Sequence, residues 1–246
     1  MGAAPRELDR PAFYALRSGG WRDLVTLLHP PYTTWHLSYV ALGAAVAPRV
    51  DPGRLGATLA AFFLAVGVSA HALDELNGRP LRTTLKRRSL IALAAVGLLG
   101  AVTIGIAGIV VVSPLLAPLV VVGGFLVPAY NLELLGGRFH TDEWFAVAWG
   151  GFPAFTGYFA NALTVRPAGI LVAGACCLLS AAQRRLSTPA RLLRRRTAEV
   201  VGEQRLTDGT ALELTQARLS APLEGALSAL WLALALLAVG LVAARL

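Results

Sequence analysis

At 246 residues, 56% of them hydrophobic and with a mean hydropathy of +0.62, the chain is too apolar for an ordinary soluble domain, and apolar runs of about 20 residues recur through it. Its net charge of +8 comes largely from arginines near the ends of those runs, a pattern that points to membrane topology and anionic lipid and away from a nucleic-acid partner. The predicted fold class is all-α, a polytopic membrane helical bundle.

In chain order, residues 1–28 form the first unit. Arg6, Asp9 and Arg10 stand where a signal peptide would need an apolar core, and residues 11–28 mix Phe13, Tyr14, Leu16, Trp21, Leu24 and Leu27 with Arg17, Arg22 and Asp23. That mixture predicts an interfacial amphipathic helix. The bundle then occupies residues 29–246, with about seven spans near 32–46, 55–76, 90–110, 115–132, 144–163, 168–186 and 223–242. The long apolar run from 90 to 132 is divided at Ser113-Pro114, because proline lacks an amide hydrogen and suits a short turn. Cys176 and Cys177, adjacent inside a span, read as small core residues. Residues 187–222 carry Arg191, Arg194, Arg195, Arg196, Glu199, Glu203 and Arg205, and form a polar connection expected to be partly helical and to lie on the membrane surface.

Arginine asymmetry orients the chain. With the N-terminus cytoplasmic, the inner segments hold Arg6 to Arg22, Arg79 to Arg88, Arg138 and Arg184 to Arg218, whereas the outer ones hold Arg49, Arg54, Arg166 and Arg245. The expected location is thus the cell membrane, multi-pass, with a cytoplasmic N-terminus. Polar clusters fall at the cytoplasmic ends of spans two, four and six. The first contains His71, Asp74, Glu75, Asn77, Arg79 and Arg82; the second Tyr130, Asn131, Glu133, Arg138, His140 and Asp142; the third Gln183, Arg184, Arg185 and Ser187. His71, Asp74 and Glu75 stand at i, i+3 and i+4, and ionisable groups at the end of an apolar span are expensive unless they bind something. Three such clusters at one end of a bundle predict a pocket with an apolar interior and a charged mouth, suited to an amphiphile with a long tail and an anionic head. Each residue also has a plain structural use: His71 in a helix-to-helix hydrogen bond, Asp74 and Glu75 paired with Arg79 or Arg82, and Arg138, Arg184 and Arg185 as topology signals.

This layout resembles the UbiA superfamily of intramembrane prenyltransferases over roughly residues 25–190. His29-Pro30-Pro31-Tyr32-Thr33 stands where the family opens its first span, and His71-x-x-Asp74 followed by Arg79-Pro80-Leu81 stands where it has an Asp-rich motif and then Arg-Pro-Leu. Tyr130, Arg138 and the segment Trp149-Gly150-Gly151-Phe152-Pro153 follow the family's tyrosine, basic residue and Gly-rich span. The resemblance implies transfer of the allylic carbon of a prenyl diphosphate, or of another isoprenoid lipid, to an acceptor, with Mg²⁺ neutralising the leaving group. His71 and Gly78 replace two of the aspartates, which leaves Asp74 and Glu75 as the implied metal ligands, with His71 beside them as the third catalytic candidate. At the second Asp-rich position the chain reads Gln183-Arg184-Arg185, where guanidinium forks would hold phosphate oxygens. Arg79, Asn131, Arg138, Gln183, Arg184 and Arg185 are the expected substrate-binding residues. Two other outcomes fit the same pocket: a UbiA-type terpene cyclase, and a non-catalytic isoprenoid- or lipid-binding protein on a degenerate prenyltransferase scaffold.

Overall fold

The computed structural model of the protein describes residues 10–246. The segment 1–9, with Arg6 and Asp9, lies outside the described residues. Among the described residues five helices are long and apolar enough to cross a membrane: α3 (Pro52–Leu76), α4 (Arg87–Val111), α5 (Pro114–Asn131), α8 (Pro167–Arg196) and α9 (Gln216–Ala243). Between them pack α2 (Pro30–Ala45) and a bent column made of α6 (Asp142–Ala146), a π-helical turn Val147–Gly151, and α7 (Phe152–Ala162). A seven-residue helix, α1 (Trp21–Leu27), precedes the bundle. The protein is thus an all-α membrane bundle, apart from one two-stranded hairpin, β1 (Glu203–Arg205) with β2 (Ala211–Glu213), paired antiparallel as Glu203 with Glu213.

Local chemistry fixes the element ends. Asp51 caps α3 by accepting from the Arg54 amide, with Pro52 in the first turn, and Thr141 and Thr215 do the same for α6 and α9 through Trp144 and Arg218. The apolar run from 90 to 132 breaks at Ser113-Pro114, where the Ser113 hydroxyl accepts from the Leu115 amide. Hydrogen bonding then leaves α4 almost entirely satisfied and free to face lipid. Val110 and Val111 are 79% and 81% exposed, a cost in water and none in hydrocarbon.

α2 lies along α7 and α9 near the centre of the bundle. Trp35, Tyr39 and Leu42 of α2 meet Ala154, Leu227 and Leu234 in one core, while Val40, Phe62, Val66, Leu126 and Trp149 form another. The α2–α7 contact is so close that a Cβ on Gly157 would stand 2.1 Å from the Val40 carbonyl oxygen. Small residues substitute here for the hydrophobic drive that helices lack in lipid. Gly150 acts likewise against α8, where a Cβ would come 2.5 Å from the Cys176 carbonyl oxygen.

Two sequence expectations change. The interfacial helix over 11–28 contracts to α1, because Gly19 and Gly20 adopt positive φ (122° and 61°) and end any continuous helix. Residues 11–16 fold inward, with Ala15 fully buried. The polar connection over 187–222 is shorter than expected, since α8 continues through Pro189 to Arg196 and α9 begins at Gln216. Arg194 and Glu224, both largely buried, tie these two helices through a two-pronged ion pair.

Candidate functional site

One end of the bundle contains a polar chamber of about 720 Å³. Tyr14 comes from the inward-folded N-terminal segment, His29, Tyr32 and His36 from the start of α2, and His71 and Asp74 from the end of α3. Asn77, Arg79 and Arg82 follow on the next loop, Tyr130 and Asn131 close α5, and Trp149 comes from the π-turn. A fourth side is α8. Gln183, Arg184, Ser187, Thr188, Arg191 and Arg195 recur at helical spacing, so one face of this helix lines the chamber for three turns. The π-helical turns Phe63–Ala70 and Val147–Gly151 sit just before His71 and around Trp149, local widenings that often accompany binding sites.

The charge balance of the lining is lopsided. Arg79, Arg82, Arg184, Arg191, Arg195 and Arg196 face one carboxylate, Asp74. The Asp74 carboxylate makes no hydrogen bond or ion pair among the described residues, while Arg184 is held by Asp142 at 2.7 Å and stacks over Phe145 at 5.2 Å. Arg79 donates to the Leu85 carbonyl at 2.6 Å, and Arg195 donates through Nε to the Pro11 carbonyl at 3.0 Å. The second contact fastens the N-terminal segment over the chamber and leaves the terminal Arg195 nitrogens for a ligand.

Opposite the arginines stands a ring wall. His29 stacks on His71 with centroids 4.1 Å apart and planes 12° apart, and its Nδ1 lies 2.8 Å from the Tyr14 hydroxyl. Burial, with His71 the next contributor, holds the His29 imidazole well below its ordinary pKa; burial also pushes the Tyr14 phenol up, so both rings are neutral at pH 7. His29 Nε2, Tyr130 Oη and Gln183 Oε1 are buried without a hydrogen-bond partner among the described residues. All three residues line the chamber, and such atoms are costly unless a ligand or water meets them.

The expected site residues separate into two groups. His71, Asp74, Arg79, Asn131, Gln183 and Arg184 line the chamber together. Glu75, Arg138 and Arg185 do not. The Glu75 carboxylate is fully buried and accepts from the Leu81 amide (2.9 Å), the Thr83 amide (2.9 Å) and the Thr83 hydroxyl (2.8 Å). One residue beyond Asp74 on a helix is a turn of about 100°, which carries Glu75 from the chamber to the loop. Arg185 is displaced from the Arg184 face by the same angle and is exposed, as is Arg138. The implied Mg²⁺ pair of Asp74 and Glu75 is therefore not brought to one place: Asp74 lines the chamber, while the Glu75 carboxylate accepts three protein hydrogen bonds away from it. Asn131 donates to the Val127 carbonyl at 2.8 Å, leaving its amide oxygen for the chamber.

Val66 and Trp149 line the chamber and also a second, apolar crevice of about 150 Å³ between α3, α4, α5 and α7. The crevice runs past small residues such as Ala61, Gly105 and Gly124 toward Arg54 at the other end of α3. A charged chamber and an apolar channel thus share a wall. No family model, no curated protein and no solved structure matches this chain.

Proposed function

We propose that this protein is a membrane-embedded prenyltransferase of UbiA-like layout that binds the diphosphate of a prenyl diphosphate on arginines and carries the tail into the apolar crevice. The observation that supports it is the shared wall at Val66 and Trp149, which lets one amphiphile satisfy an arginine-rich chamber and an apolar channel at once. In this reading α2 and the α6–α7 column cross the membrane with the five longer helices, giving seven spans, and the chamber and N-terminus face the cytoplasm.

The chemistry asked of the chain is charge neutralisation. As the allylic carbon–oxygen bond breaks, its electron pair leaves with the diphosphate, and fixed guanidinium groups stabilise that charge in a site of low dielectric. Arg191 and Arg195, one turn apart on α8, are the residues assigned to it. The buried donors and acceptors His29 Nε2, Tyr130 Oη and Gln183 Oε1 gain partners from the polar head or its ordered water.

A second reading, a non-catalytic isoprenoid-binding scaffold, is favoured by one observation: among the described residues, Asp74 is the sole carboxylate lining the chamber. Mass spectrometry of co-purifying lipid, with an assay of diphosphate release from geranyl, farnesyl and geranylgeranyl diphosphates, separates the two. The transferase reading expects release. Bound isoprenoid with no release supports the scaffold, and bulk phospholipid alone with no release removes both.

A further inference from the structure

We propose that His36 is the base that takes the acceptor's proton in the transfer reaction, an assignment that rests on the prenyltransferase reading above. His36 lies in α2 and is 4% exposed. Its Nδ1 is 2.7 Å from the Trp149 carbonyl oxygen. A carbonyl can only accept, so Nδ1 carries the hydrogen and Nε2 keeps its lone pair. His29 is placed differently: its partner is the Tyr14 hydroxyl, which donates or accepts and fixes no tautomer.

Because His71 and His140 also set Nδ1 against a backbone carbonyl (Gly67 at 3.2 Å and Tyr130 at 2.9 Å), it is position that singles out His36. The His36 ring stands 6.3 Å from both Trp149 and Phe145, and Trp149 is shared by chamber and crevice. The reacting carbon of a prenyl diphosphate is the atom between head and tail, so with the head on Arg191 and Arg195 and the tail past Val66 it comes to the same junction. His29 and His71 stack on each other on the head side, away from that junction.

The step balances without any redox partner. The allylic carbon–oxygen bond breaks and its electrons leave with the diphosphate; a nucleophilic atom of the acceptor gives an electron pair to the allylic cation and forms the new bond; the proton that atom loses passes to His36 Nε2. The resulting imidazolium keeps its Nδ1–H on the Trp149 carbonyl.

The test uses the purified full chain in lipid nanodiscs. In ¹⁵N-histidine-labelled protein, assigned with His36→Gln, the His36 Nε2 resonance is expected to be that of an unprotonated ring nitrogen. His36→Gln keeps an N–H for the Trp149 carbonyl and removes the base. It is expected to bind farnesyl S-thiolodiphosphate within about twofold of wild type and to retain ¹⁸O scrambling within farnesyl diphosphate, which reports ionisation alone. Diphosphate release across a panel of phenols and alcohols should fall at least about tenfold, within the range of general-base effects. Added imidazole should restore part of the activity lost in His36→Ala, which a merely structural role would not allow. A protonated Nε2, or release by His36→Gln equal to wild type, overturns the assignment and leaves the transferase reading standing. Wild-type protein that binds the thiolodiphosphate yet neither scrambles nor releases diphosphate overturns both.

Discussion

The Glu75 carboxylate receives three hydrogen bonds from the loop after α3, and that of Asp74, its neighbour, receives none among the described residues. The two carboxylates therefore answer to substitution in opposite ways. Glu75→Gln places a donor group where two oxygens accept, and removing a buried charged acceptor costs about 1–3 kcal/mol; thermal unfolding in nanodiscs and proteolysis at the Arg79–Arg82 loop should both register it. Asp74→Asn deletes the one negative charge that the described residues give the chamber lining. It should leave the melting temperature near that of wild type and tighten pyrophosphate binding at least about threefold by titration calorimetry, because the anion no longer meets a like charge. Weaker binding in Asp74→Asn would make Asp74 a ligand-holding group after all. Asp23 of α1 gives a pH signature. Its burial raises the carboxyl pKa, but hydrogen bonds from the Thr84 side chain and from the Gly19 and Thr84 amides outweigh that and hold it below the ordinary aspartate value. A lowered folded pKa means stability that is complete above about pH 4 and lost as the pH falls below it, and Asp23→Asn should flatten that acid limb in a melting series.

Among the elements, α8 shows what could be read from the chain and what could not. Gln183, Arg184, Ser187, Thr188, Arg191 and Arg195 are spaced for one helical face, and that periodicity stands in the sequence. It is obscured because the arginines from 191 onward also satisfy the positive-inside pattern and follow Pro189, which reads as a helix breaker. The structure carries the helix across Pro189, and the arginines that reach the chamber from beyond it are those a surface loop would have sent to solvent. The break at Ser113-Pro114 was legible because proline chemistry there acts locally. The Asp74/Glu75 division was not, since it depends on a loop folding back to donate three hydrogen bonds. Tyr14 was hidden for a similar reason: the inward path of residues 11–16 brings it to His29. The α2–α7 contact makes a separate prediction. Gly157→Ala forces a Cβ against the Val40 carbonyl and should cost about 1–3 kcal/mol by overpacking, read as a lower melting temperature, whereas Gly225→Ala, with open space around it, should be near neutral.

For the whole molecule, the chamber end carries most of the cationic side chains and the far end gathers Arg49, Arg54, Arg166 and Arg245, with Arg245 donating to the Ala47 carbonyl at 2.7 Å to join the ends of α2 and α9. If seven columns cross the bilayer, single cysteines replacing Arg49 and Asp208, in a chain whose Cys176 and Cys177 are serine, should react with a membrane-impermeant thiol reagent from opposite sides. Labelling from one side would break the topology. The central claim is that arginines of α8, and not a carboxylate-held metal, take an anionic head whose tail lies in the crevice. It is tested most directly by titrating geranylgeranyl S-thiolodiphosphate into the protein in nanodiscs, with and without a chelator, beside an Arg191→Gln/Arg195→Gln variant. Charge-assisted hydrogen bonds are worth about 1.5–3 kcal/mol each, so wild type should bind equally with chelator present and the double variant should bind at least tenfold more weakly. Binding that vanishes with the chelator, or that the double variant retains unchanged, would contradict the account.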